Sequence, residues 1–119
     1  MKSPNIMLVA IILSFIALSL ITSCNEKDNR QKVVNKVDTV IISGMEFRPS
    51  LLNIDLGDTV IWINKGIVAH NITDEAATTP LSKDFNPNES FQMVPTKSFN
   101  YYCSIHPTMK GAINIQANK

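Results

Sequence analysis

The segment Tyr101-Tyr102-Cys103-Ser104-Ile105-His106-Pro107-Thr108-Met109-Lys110-Gly111 sets a thiol, an imidazole and a thioether three residues apart. It lies between two runs of strand-forming residues, Phe99 to Cys103 and Ala112 to Gln116. Such a chain ends one strand at Cys103 and begins another soon after Met109, so a single short loop presents three ligand types to one ion. Upstream, His70 stands at the end of another strand region and supplies a second imidazole; the chain has 2 histidines, and this reading uses both.

Taken singly, these residues read differently: His70 as a hydrogen-bonded strand residue, Met109 as a core filler, Cys103 as a small buried apolar side chain. The combination at fixed spacing points to a metal site. Thiolate and thioether stabilise Cu(I), and imidazole suits both copper oxidation states. A trigonal set with a weak axial Met needs little rearrangement when an electron arrives or leaves. Zinc is the competing metal, but it rarely recruits Met; with Cys24 claimed by another motif, no further Cys or His is left to close a structural tetrahedron.

The rest of the chain reads as all-β. No segment carries a sustained helical stripe, whereas short β-branched or aromatic runs recur between turn signals, the pattern of antiparallel strands. Candidate strands are Thr39 to Ser43, Leu51 to Leu56, Thr59 to Asn64, Phe99 to Cys103 and Ala112 to Gln116, with turns at Gly57-Asp58 and Asn64-Lys65-Gly66. Thr59 to Ile63 is apolar on both faces, which suits a central sandwich strand with Trp62 as a core anchor. From Thr73 to Asn88, acids, prolines and small polar residues break the pattern; this reads as a long surface excursion with at most one short helical turn.

The N-terminus has its own logic. Lys2 precedes an uncharged apolar run from Ile6 to Ile21, shorter than the roughly 20 residues of a spanning helix. It ends in Ile21-Thr22-Ser23-Cys24, similar to a bacterial lipobox, in which the cysteine is lipidated and becomes the mature N-terminus. The expected organisation is a lipoprotein signal peptide over 1–23, lipidated Cys24 with a polar tether over 24–36, and a folded domain over 37–119. An uncleaved signal anchor and a Cys24–Cys103 disulfide are the alternatives weighed. With 11 basic and 10 acidic residues, the charge balance gives no preference for nucleic acid.

The domain resembles the cupredoxins, within them the small plastocyanin, pseudoazurin and amicyanin group. The resemblance is carried by Met45-Glu46-Phe47-Arg48-Pro49, Leu52-Asn53-Ile54, Gly57-Asp58-Thr59-Val60-Ile61-Trp62-Ile63-Asn64, Ala69-His70-Asn71-Ile72-Thr73, and Phe99 with Tyr101 to Pro107, in that order. The two-residue gap between His106 and Met109 is similar to the short ligand loop of amicyanin. Two departures stand out: Lys97-Ser98-Phe99 replaces a glycine common before the strand that leads to the Cys, and the excursion after Thr73 has no match.

The resemblance implies a Greek-key β-sandwich of about eight strands holding one type 1 copper ion, Cu(I)/Cu(II). His70, Cys103 and His106 are then equatorial ligands, Met109 the axial one, and Asn71 ties the two ligand segments by hydrogen bonding. The expected function is one-electron transfer between a redox protein donor and acceptor, by a monomer anchored to the bacterial cell envelope through Cys24, with the domain in the periplasm or outside the cell. A copper carrier or storage role is the alternative. An enzyme such as a nitrite reductase or multicopper oxidase needs further copper sites, which two histidines cannot supply, and a dinuclear copper site needs two cysteines on one loop.

Overall fold

A computed structural model describes residues 34–77 and 79–117. The predicted signal peptide, Cys24 and most of the predicted tether lie outside the described residues.

Eight strands follow in chain order: β1 (Val37–Ser43), β2 (Glu46–Arg48), β3 (Leu51–Asp55), β4 (Thr59–Asn64), β5 (Thr73–Asp74), β6 (Ser90–Met93), β7 (Phe99–Tyr102) and β8 (Lys110–Gln116). They form two four-stranded sheets, ordered β2-β1-β4-β6 and β3-β8-β7-β5. The β4 sequence TVIWIN alternates half-buried with buried positions and places Val60, Trp62 and Asn64 inward. β-Branched residues favour that pleated, two-sided environment. Opposite it, Tyr101 of β7 is fully buried and meets Trp62 edge to face at a centroid distance of 5.6 Å. Phe47 packs edge-on to the same tyrosine at 4.8 Å. These contacts join the two sheets across one core, and the fold is an all-β sandwich.

The expectation of antiparallel strands fails for two pairings. β1 pairs with β4, and β3 with β8, in parallel. After the β1–β2 hairpin the chain moves to the second sheet as β3 and returns as β4 beside β1. Neighbours joined by a crossover are free to run parallel, whereas a hairpin enforces reversal. A period of two reports which face is buried and is silent on direction.

The excursion from Thr73 to Asn88 is also more ordered than its sequence suggests. It opens with β5, and its later part runs antiparallel to residues 70–72. His70 N–H donates to Phe85 O at 3.2 Å and Phe85 N–H to His70 O at 2.8 Å; Leu81 N–H donates to Ile72 O at 2.8 Å. Phe85 belongs to the core. Among the described residues of this segment there is no helical turn.

Two details hold the ends of the sandwich. At one end, Asp58 N–H donates to Asp55 O at 3.1 Å across a turn in which Gly57 has φ +99°, a value open to glycine at little cost. The buried Asp58 carboxylate accepts from Lys36 N at 3.0 Å and from Asp55 N at 3.0 Å. The Lys36 backbone bond, with help from that of Asp55, holds its carboxyl below the ordinary value of 3.8 against the opposing effect of burial. Across the β7–β8 ladder, Gly111 faces Tyr101, and a Cβ at Gly111 would overlap the phenol ring. Burial pushes the Tyr101 hydroxyl up to about 12, so this ring packs as a neutral group.

Two outcomes follow. Gly111→Ala lowers stability by about 1–3 kcal/mol through overpacking against Tyr101, read from chemical denaturation. A carboxylate with a depressed pKa stabilises the fold above its unfolded value and stops doing so as pH falls through its folded value. Wild type therefore loses thermal stability on acidification below 3.8 more steeply than Asp58→Asn does.

Candidate metal centre

His70 reaches the site through the loop after β4, which one side chain organises. The buried Asn64 amide donates to Val68 O at 2.8 Å and to Phe85 O at 3.1 Å, and its Oδ1 accepts from Gly66 N at 2.9 Å. Asn64 thus folds residues 64–68 back on themselves and ties them to the 81–85 segment on the far side of His70. With the paired backbone bonds to Phe85, this holds an imidazole that is only 1% exposed. Gly66 packs closely on both: a Cβ there would lie 3.2 Å from Asn64 Oδ1, a tight contact, and 3.5 Å from His70 Nε2, an ordinary one.

Cys103, His106 and Met109 arrive together. β7 ends at Tyr102, opposite Lys110 at the start of β8, and the backbone of the intervening loop bonds to itself. His106 N–H donates to Cys103 O at 3.1 Å, Met109 N–H to His106 O at 2.9 Å, and Cys103 N–H to Met109 O at 3.2 Å. These are two successive turns closed by a ladder bond, with Pro107 just after the shared corner, where its fixed φ suits a turn. The C-x2-H-x2-M spacing matches that construction, since each turn advances three residues. Cys103 and Met109 are buried, and His106 is half-exposed.

The donor atoms converge. Cys103 Sγ lies 3.7 Å from His70 Nδ1 and 3.8 Å from His106 Nδ1, and one ligand atom from each of the three residues falls within 4.8 Å of the others. Metal–nitrogen and metal–thiolate bonds of about 2.0 and 2.3 Å meeting at 120° put their outer ends roughly 3.8 Å apart, so the two sulfur–nitrogen distances fit one ion at the centre of a trigonal set. Met109 is buried at the end of the same loop, and a trigonal His2Cys set beside a thioether is the donor chemistry of a blue-copper site. Electrostatics agree with this use. Burial, and to a lesser degree repulsion by His106, hold His70 below its ordinary pKa of 6.5, which favours the neutral imidazole that a metal requires.

Asn71 joins the two ligand segments. Its backbone N–H donates to Cys103 Sγ at 3.5 Å. Its side-chain Oδ1 accepts from Ser104 N at 2.9 Å, and its Nδ2 donates to Ser104 Oγ at 2.8 Å and to Asp84 Oδ1 at 2.9 Å. Of the residues that sequence reading singled out, His70, Cys103 and His106 bring their donor atoms together, Asn71 bonds between their segments, and Met109 is buried at the end of the ligand loop; Cys24 lies outside the described residues. It missed Asn64 and Asp84. Asn64 ends a strand just before a glycine turn, a signal for a turn-capping amide; Asp84 carries no such signal.

The plastocyanin/azurin family of copper binding proteins matches residues 33–116. Amicyanin of Paracoccus denitrificans is 26% identical over 94 residues, spanning 71% of this chain and 70% of that protein. A purple cupredoxin from Nitrosopumilus maritimus is 28% identical with a TM-score of 0.59 over 66% of this chain and 98% of its own. A copper-containing nitrite reductase from Thermus scotoductus SA-01 is 27% identical with a TM-score of 0.61, but the match spans 68% of this chain and only 22% of that enzyme. With a His2Cys cluster on a two-sheet sandwich and a family match over residues 33–116, the chain belongs to the plastocyanin/azurin family of copper binding proteins.

Proposed function

We propose that this domain is a one-electron carrier whose copper is held by His70 Nδ1, Cys103 Sγ and His106 Nδ1, with Met109 as axial ligand. The observation that carries the reading is the fit of the two sulfur–nitrogen distances, 3.7 and 3.8 Å, to one trigonally bound ion. Copper, when bound, supplies the Cu(I)/Cu(II) couple. The protein's part is to keep the ligands from rearranging. Cys103 and His70 are buried and bonded from both flanks, and the self-bonded loop holds His106 and Met109. Such rigidity keeps the reorganisation cost low, which favours electron transfer. It opposes a copper carrier, which must release its metal readily. The structural match to 22% of a nitrite reductase is not read as catalysis here, because both histidines of the sequence belong to one cluster.

His106 is the ligand that opens to the surface, and its surroundings are apolar. Ile67 is 93% exposed, and Met45, Val68 and Ile105 are exposed as well. A shallow cavity beside His106 is lined by Met45, Ile67 and Val68 among others, and Lys65 is the one side chain in that lining with a fixed charge. A partner docking there brings its redox centre to the imidazole edge and removes apolar surface from water. The lipobox-like Ile21-Thr22-Ser23-Cys24 and polar residues 25–36 support an exported, membrane-tethered monomer serving a donor and an acceptor in the cell envelope.

Addition of Cu(II) to the full chain is expected to give an intense visible thiolate band that Cys103→Ser abolishes, together with a reversible one-electron couple; a colourless protein overturns the assignment. The docking face is checked without a known partner by electron self-exchange, measured from NMR line broadening in mixtures of oxidised and reduced protein. Ile67→Glu, which places a like charge on both copies, lowers that rate by about tenfold with the absorption spectrum unchanged.

A further inference from the structure

We propose that Asp84 is a positioning residue of the copper centre, acting through Asn71, and that its carboxylate lowers the reduction potential of the site. The inference rests on the electron-carrier reading. The bridge between His70 and Phe85, with both backbone bonds made, brings Asp84 alongside Asn71 in the antiparallel run, and Asp84 Oδ1 accepts a hydrogen bond from Asn71 Nδ2 at 2.9 Å.

That bond and the Ser104 backbone N–H agree on which way the Asn71 amide faces. A carboxylate only accepts, so it requires the NH2 end of the amide. Oδ1 is then turned to Ser104, where it accepts from the backbone N–H at 2.9 Å and from the hydroxyl at 3.1 Å. The inverted amide would set N–H against N–H at Ser104 and oxygen against oxygen at Asp84. Asp84 therefore reinforces, from the amide's other end, the orientation that ties Ser104, the residue directly after the thiolate, to Asn71, the residue directly after the first imidazole. Asn71 in turn presents its backbone N–H to Cys103 Sγ at 3.5 Å, and hydrogen bonding around that sulfur is a lever on the potential of copper sites. The carboxylate adds its own field: a negative charge beside the centre stabilises the more positive, oxidised ion. Because Asp84 is exposed, salt screens that field.

The test is the reduction potential of the copper-loaded full chain at low and high salt, for wild type, Asp84→Asn and Asp84→Ala. Asn keeps an acceptor oxygen and the shape while removing the charge. It is expected to shift the equilibrium with a small-molecule redox couple about threefold toward Cu(I) at low salt, and less at high salt. Ala, which removes the acceptor too, is expected to shift the potential in the same direction and also to move the thiolate absorption band. A wild-type potential for Asp84→Asn at low salt, whatever its melting temperature, overturns the inference and leaves Asp84 a structural bond. Lack of a reversible couple in wild type overturns the electron-carrier reading itself, and that failure appears before any substitution is made.

Discussion

Antiparallel pairing of β7 with β8 sets Tyr102 opposite Lys110 and leaves Cys103 to Met109 to make the reversal, so the register of this one ladder determines how the ligands are presented. A slip of one residue would turn every side chain of β7 to the other face, moving Tyr101 out of the core and Cys103 away from His70. Slippage is opposed by the fit of Tyr101 over Gly111, where a larger residue would displace the ring, and by the contacts of Tyr101 with Phe47 and Trp62. The precision of the metal site is thus anchored in apolar packing two residues below the ligands. The hydrophobic core supplies the rigidity that the ligand loop cannot supply alone.

That rigidity matters because crowding two imidazoles and a thiol together is unfavourable by itself. Two imidazoles and a thiol lie within 4.8 Å of one another, with His70 nearly fully desolvated. Burial eases part of the conflict by lowering the His70 pKa, which favours its neutral form. The remainder is met by hydrogen bonds from the scaffold to the backbone and to the sulfur. Binding of the ion then stabilises the folded state by mass action, since the donor geometry belongs to the fold and is dispersed in the unfolded chain.

The sandwich, the central β4 strand, the Trp62 anchor and the Cys-His-Met loop were legible because each depends on local order: alternation, β-branched runs, and a spacing of three that matches two consecutive turns. What was illegible depends on where distant segments land. β2, β5 and β6 are too short to show a period, and the parallel pairing of β1 with β4 leaves no trace in either strand alone. The 73–88 segment looks like loop because its polar residues do tertiary work: Ser82 Oγ accepts from Ile72 N at 2.8 Å, and Phe85 returns to the core. Asp84 and the long-range half of the Asn64 role share that reason: the Phe85 carbonyl lies 21 residues from Asn64 and Asn71 lies 13 from Asp84, although the turn that Asn64 caps at Gly66 is local.

The two histidines are held in unlike ways, and the difference divides the labour of the site. His70 is enclosed by the Asn64 loop on one side and the Phe85 segment on the other, and two backbone bonds to Phe85 fix the main chain that carries its ring. His106 sits between two turns of a loop whose outer residues, Ile105 and Pro107, face solvent. Burying both imidazoles would preserve geometry but keep a partner's redox centre at a distance; exposing both would admit water to the thiolate. One enclosed ligand preserves the geometry and one surface ligand gives access. The Asn71–Ser104 bonds couple the two, so an edge open to a partner stays in register with a buried sulfur.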